Sequence, residues 1–158
     1  MYFWKVDALA QELKEKRLSQ KEKMKYLLIY VLLAVIKSLL LVYMPQEFSV
    51  FTVIDHLFYF GITVWGVIAC YKANAKGDNE EFIDRFICLS WPIFIRCVAI
   101  SIGIYFVYMT VGYIVFGEAF DRFAEQWNIV DSVIVNGILF LSYLWTRRYI
   151  VKVSGASH

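Results

Sequence analysis

Two ionisable residues stand inside stretches that otherwise carry no charge. Lys37 interrupts an apolar run over residues 26–44, and Asp55 interrupts another over residues 48–71. Pro45, Gln46 and Glu47 separate the two runs. Lys37 lies seven residues before Met44, and Asp55 seven after Phe48. Antiparallel helices joined at that turn would hold both residues ~10 Å below one membrane surface, at ~1.5 Å of rise per residue. A lone charge at that depth is costly, so such residues face the bundle interior and pair. The spacing predicts a Lys37–Asp55 ion pair joining the two helices, either as a structural clasp or as part of an ion pathway.

Four further polar residues fall in apolar stretches. His56 sits about 100° around the helix from Asp55 and faces a different neighbour. Its expected role is a hydrogen-bonded helix contact, with a proton relay as the alternative. Arg96 comes four residues after Pro92, shallow enough for its head to snorkel to the surface. Asp131 comes four residues after Trp127, at the opposite margin. Asn136 shares a face with Ser132 and Tyr143. Asp55, Ile62, Gly66 and Ala69 form a second stripe, and Arg96, Ala99, Gly103 and Thr110 a third. Small residues let membrane helices approach closely, and polar ones bond across the contact. Gly66, Ala69, Ala99, Gly103 and Ser132 are therefore the expected helix-packing positions, within one chain or between copies.

Other chemistry is missing. The two histidines are His56 and His158, with no H-E-x-x-H, so no metal site is expected. Cys70, Cys88 and Cys97 are odd in number, lack C-x-x-C spacing and read as apolar packing residues. There is no phosphate-cradling glycine loop, nucleophile elbow or interleaved basic patch for nucleic acid. Glu80-Glu81-Phe82-Ile83-Asp84-Arg85 matches E-E-x-x-x-R. It resembles the first motif of membrane-embedded proteases related to CAAX-processing enzymes, whose glutamates and later histidines would build a hydrolytic site. No F-x-x-x-H and no H-x-x-x-[ND] follows, so the resemblance ends with these six residues. No catalytic residue and no cofactor is expected.

The elements that must position these residues are helical. The chain has 158 residues, 60% hydrophobic, which places it in the polytopic membrane class. Residues 1–18 read as a cytoplasmic amphipathic helix, with Val6, Leu9, Ala10 and Leu13 at helical spacing. Such a helix suits the membrane interface or packing on the cytoplasmic loops. Ser19 and Glu22 form a capping box that starts the next helix. Spans are expected over about 25–44, 48–71, 92–114 and 128–147, each near the ~20 residues a bilayer core requires. Gly77 is the expected left-handed cap after the second span. Asp78, with Glu81, is expected to cap a short surface helix, and Trp91-Pro92 to open the third span. Phe116, Phe120, Phe123 and Trp127 mark a second interfacial segment.

Charge fixes the expected orientation. Lys and Arg number seven before the first span, three over 72–85 and three after the fourth. The opposite side carries Arg122 alone. By the positive-inside rule both termini are cytoplasmic. The first 25 residues have no apolar h-region and do not read as a cleavable signal peptide.

The expectation is an all-α, up-down bundle of four transmembrane helices with amphipathic interfacial helices. It forms one membrane domain over 1–158 in a bacterial inner membrane. The expected function is non-enzymatic, as a homo-oligomeric channel, pore or permeability effector. The alternative is an accessory subunit or sensor of a membrane complex, working through its cytoplasmic helices. The architecture is similar to that of small membrane effectors of bacterial anti-phage systems. Expected partners are the lipid bilayer, further copies of the chain and a cytoplasmic protein, with no nucleic acid.

Overall fold

Five helices and no strand make up the described residues of the computed structural model, which are 4–43, 50–117 and 128–156. The side chains of 34, 37, 38, 40–43 and 128–130 lie outside that description. In chain order the helices are α1 (Val6–Lys14), α2 (Gln20–Tyr43), α3 (Val50–Ala75), α4 (Phe82–Phe116) and α5 (Asn128–Ser154). The turn at 45–47, most of the second interfacial segment and the Lys37 side chain fall outside the described residues.

The buried apolar residues gather at one end. Tyr26 at the start of α2, Cys70 and Ala73 at the end of α3, Cys88 and Leu89 early in α4, and Ile150 and Val153 late in α5 form one cluster. Successive long helices therefore run in opposite directions. This is the end that carries the basic flanks. Away from it the helices present apolar side chains outward, such as Phe60, Phe106 and Ile114. Two helices, α3 and α4, are long and apolar enough to cross a membrane, with mean hydropathies of 1.6 and 2.0. Of an apolar 18-residue stretch within each, only 11% and 28% is buried, whereas a soluble core helix buries most of such a stretch.

Helix α1 closes the basic end. Val6, Leu9, Ala10 and Leu13 are each at most 2% exposed, and the helix packs on α4 and α5. Of the two roles open to this amphipathic face, the structure shows packing within the chain. The capping box forms as expected. Ser19 Oγ accepts the Glu22 N–H at 3.3 Å, and the Glu22 carboxylate accepts the Ser19 N–H at 3.4 Å.

The structure corrects three local expectations. The surface helix and the third span are one continuous helix, α4, with Pro92 in its interior. Proline lacks the N–H that would bond the Cys88 carbonyl, so one rung of the ladder is lost. Complete burial of Pro92 among packed neighbours holds the helix together across that gap. Asp78 does not cap with Glu81, since the helix begins only at Phe82 and Glu81 itself has a positive φ of 45°. Gly77 is not among the residues of positive φ. Its missing side chain serves close approach, because a Cβ there would lie 2.4 Å from the Ser154 carbonyl oxygen.

Neighbours in space differ from neighbours in sequence. Among the described residues α3 packs chiefly on α5, α5 also packs on α4, and α2 packs on α4. One contact anchors α2 on α4 and another seats α3 on α5. Lys23 at the start of α2 is held by Glu81 and Asp84 at 2.9 and 2.8 Å. Gly66 of α3 receives the Tyr143 ring of α5, which would stand 2.2 Å from a Cβ at that position.

Candidate functional site

The α3–α5 seam holds a polar cluster within its apolar length. Asp55 is half-buried on α3, one helical turn into the described part of that helix. Its Oδ1 accepts from Asn136 Nδ2 at 2.7 Å and from the Ser132 hydroxyl, both on α5. Ser132 and Asn136 lie four residues apart, so one face of α5 presents both donors. Asn136 Nδ2 also donates to the Ser132 carbonyl at 3.0 Å. Its own Oδ1 is buried without a partner among the described residues. Among those residues both donors to Asp55 reach the same carboxylate oxygen. The arrangement fixes the carboxylate and leaves acceptor capacity, which suits a cation or a further donor.

The other expected residues separate. His56 Nδ1 lies 2.7 Å from the Thr52 carbonyl of its own helix, on an exposed side away from the Asp55 cluster. Ala69 is half-buried, whereas Ala99 is exposed and Gly103 faces open space. Asp131 is exposed. Lys37, the expected partner of Asp55, has its side chain outside the described residues. Arg96 is half-buried on α4. It donates to the Trp4 carbonyl, and its guanidinium stands 5.8 and 5.6 Å from the ring centroids of Trp4 and Trp145. This ties the N-terminal segment to α4 and α5.

A second cluster, at the basic end, was not anticipated. Arg85 is 1% exposed, the largest fully buried side chain described. Its Nη1 donates to Asn74 Oδ1 at 2.9 Å and also to Asp78, while Nη2 reaches the second Asp78 oxygen at 2.6 Å. Bidentate guanidinium–carboxylate pairing is among the strong hydrogen-bond geometries. Asn74 Nδ2 donates to the Glu80 carbonyl at 3.2 Å, and the Asp78 N–H donates to the Ser154 carbonyl at 3.0 Å. One buried cation thereby joins the end of α3, the connecting loop, α4 and the end of α5. The Arg85 hydrogen bond, with burial opposing it, holds the Asp78 carboxyl below its ordinary range. Burial acts to lower the Lys23 pKa, but the hydrogen bonds that its ammonium donates to Asp84 and Glu81 outweigh it and the pKa is raised. Asp7 is held below its ordinary range, first by the Lys152 hydrogen bond.

The acidic stretch that resembled a protease motif is occupied otherwise. Glu80 pairs with Lys16, Glu81 with Lys23, and Arg85 with Asp78. Among the described residues no group of three or more His, Cys, Asp or Glu side chains is placed to hold a metal ion. Comparison with known proteins finds no matching family, no matching curated protein and no matching solved structure.

Proposed function

We propose that this chain is a non-enzymatic multi-pass membrane protein whose copies assemble to conduct cations past Asp55. The four long helices are its spans, and both termini lie on the basic, cytoplasmic side of a bacterial inner membrane. The observation that carries this reading is the Asp55 carboxylate, half-buried and aimed by Ser132 and Asn136 in a seam flanked by outward apolar side chains. Four helices whose apolar side chains face outward over much of their length enclose little interior, so a wet path requires several copies. Purified protein in planar bilayers should pass cations, and native mass measurement in nanodiscs should find a discrete homo-oligomer. Absence of conductance at every voltage and pH would sink the conduction reading. It would then favour the accessory-subunit reading, in which Asp55 only joins α3 to α5.

The topology has its own test. A single Cys placed at Gln46 should react with an impermeant reagent on intact cells, and one placed at Lys76 only after the membrane is broken. The reverse pattern would overturn an orientation that rests on thirteen flanking Lys and Arg against one.

A further inference from the structure

One face of α5 changes character in a fixed order. Ile138, Leu141, Trp145, Arg148 and Lys152 recur at intervals of three, four, three and four residues, which keeps them on a single stripe. The first two, with Leu144, line an apolar groove against Cys97 and Ile100 of α4. Trp145 and Arg148 close the basic end of that groove and also line the adjoining polar pocket with Tyr149 and Lys152. From Ile138 to Arg148 the stripe is ~15 Å long at ~1.5 Å per residue, which matches one leaflet of a ~30 Å hydrocarbon core.

The polar end carries an excess of positive charge. Arg96, Arg148 and Lys152 gather there, and Asp7 is the facing acid among the described residues. Asp7 is already bonded to Lys152 at 2.8 Å and to the Tyr149 hydroxyl at 3.1 Å. Arg148 is exposed, and Arg96 Nε is buried without a partner among the described residues. A tryptophan at this level is where aromatic side chains favour the membrane interface.

We propose that this groove binds an anionic phospholipid, its acyl chain along Ile100, Ile138 and Leu141 and its phosphate at Arg148 beside Arg96. Basic pockets between helices on the cytoplasmic side suit acidic lipid headgroups. A soluble phosphate would use the polar end alone and leave the apolar groove unfilled. The inference rests on the membrane placement proposed above but not on conduction.

The test uses the full chain in mixed nanodiscs of phosphatidylglycerol and phosphatidylcholine, transferred to detergent and analysed by native mass spectrometry. Phosphatidylglycerol should be retained over phosphatidylcholine. Arg148→Gln, which alters an exposed side chain, should reduce that preference roughly fivefold, the effect of one basic residue at an anionic surface. Leu141→Trp, which fills the groove, should reduce retention of both lipids. Asp55→Asn should retain lipid as the parent does, so a failure of conduction and a failure of lipid binding are read separately. Equal retention of the two lipids by the parent, or no change in Arg148→Gln, would overturn the proposal. Displacement of the lipid by millimolar inorganic phosphate would show a headgroup site only and would overturn it too.

Discussion

Asp78→Ala is expected to destabilise the protein by about 3 kcal/mol, the low end for breaking a buried ion pair. The reason is asymmetry of burial. The Arg85 side chain is 1% exposed and that of Asp78 is 35%. Removing the acid strands a guanidinium that cannot reach water and keeps only Asn74 as a described side-chain acceptor. Removing the cation instead leaves a carboxylate that retains access to solvent. Arg85→Met keeps the volume but strips Asn74 Oδ1 of its donor, so a smaller loss of about 1–3 kcal/mol is expected. The double variant should lose about as much as Arg85→Met alone, less than the sum of the two single losses, because Asn74 Oδ1 still lacks its donor. Unfolding titrations in mixed detergent would measure all four states, and purely additive losses would mean that the two residues do not interact.

Acid should act on the same clasp. A carboxyl held low in the folded state contributes stability that is fully present above its unfolded value and is lost as pH falls through its folded value. Asp78 and Asp7 are both held low, by Arg85 and by Lys152 first. Stability should therefore hold down to about pH 5 and fall below about pH 4. Lys23 is raised, so its contribution persists up to its ordinary value and is lost only as pH rises through the higher folded one. Asp78→Ala should show a shallower acid limb than the parent.

The long helices were legible because apolar runs of ~20 residues leave few alternatives. The α2 cap was legible because Ser19 and Glu22 satisfy each other locally. What escaped was set by contacts distant in sequence. Asn74, Asp78 and Arg85 each have an ordinary local reading, as a helix stop, a cap and a surface cation. Only the docking of the loop on the Ser154 carbonyl brings them into one buried unit. Pro92 looked like a boundary because its local preference is the first turn of a helix, yet burial on all sides carries α4 through it. Asp55 was singled out by its depth alone. That Ser132 and Asn136 would bond it depends on α3 lying beside α5, which no local pattern in either helix encodes. The common face of Ser132, Asn136 and Tyr143 was readable from spacing, but not the helix it meets.

Asp55→Asn is expected to cut cation conductance about tenfold or more while leaving assembly intact. Asparagine keeps a carbonyl oxygen where Oδ1 accepts from Asn136 and Ser132, so the α3–α5 seam retains its bonds. What disappears is the charge. At an effective dielectric of about 20, a carboxylate and a cation 4 Å apart attract by about 4 kcal/mol. Each ~1.4 kcal/mol lost from the barrier region is a factor of ten in rate. Asp131→Asn serves as the contrast, because Asp131 is exposed and salt screens a solvated charge within roughly 8–10 Å. Its conductance should stay within about twofold of the parent, in keeping with that screening. Two readouts accompany the currents, the oligomer mass and the unfolding midpoint. If Asp55→Asn conducts like the parent while both readouts are unchanged, the ions do not pass Asp55. If currents and assembly fail together, Asp55 is a structural bond between α3 and α5, and the conduction reading loses the residue it rests on.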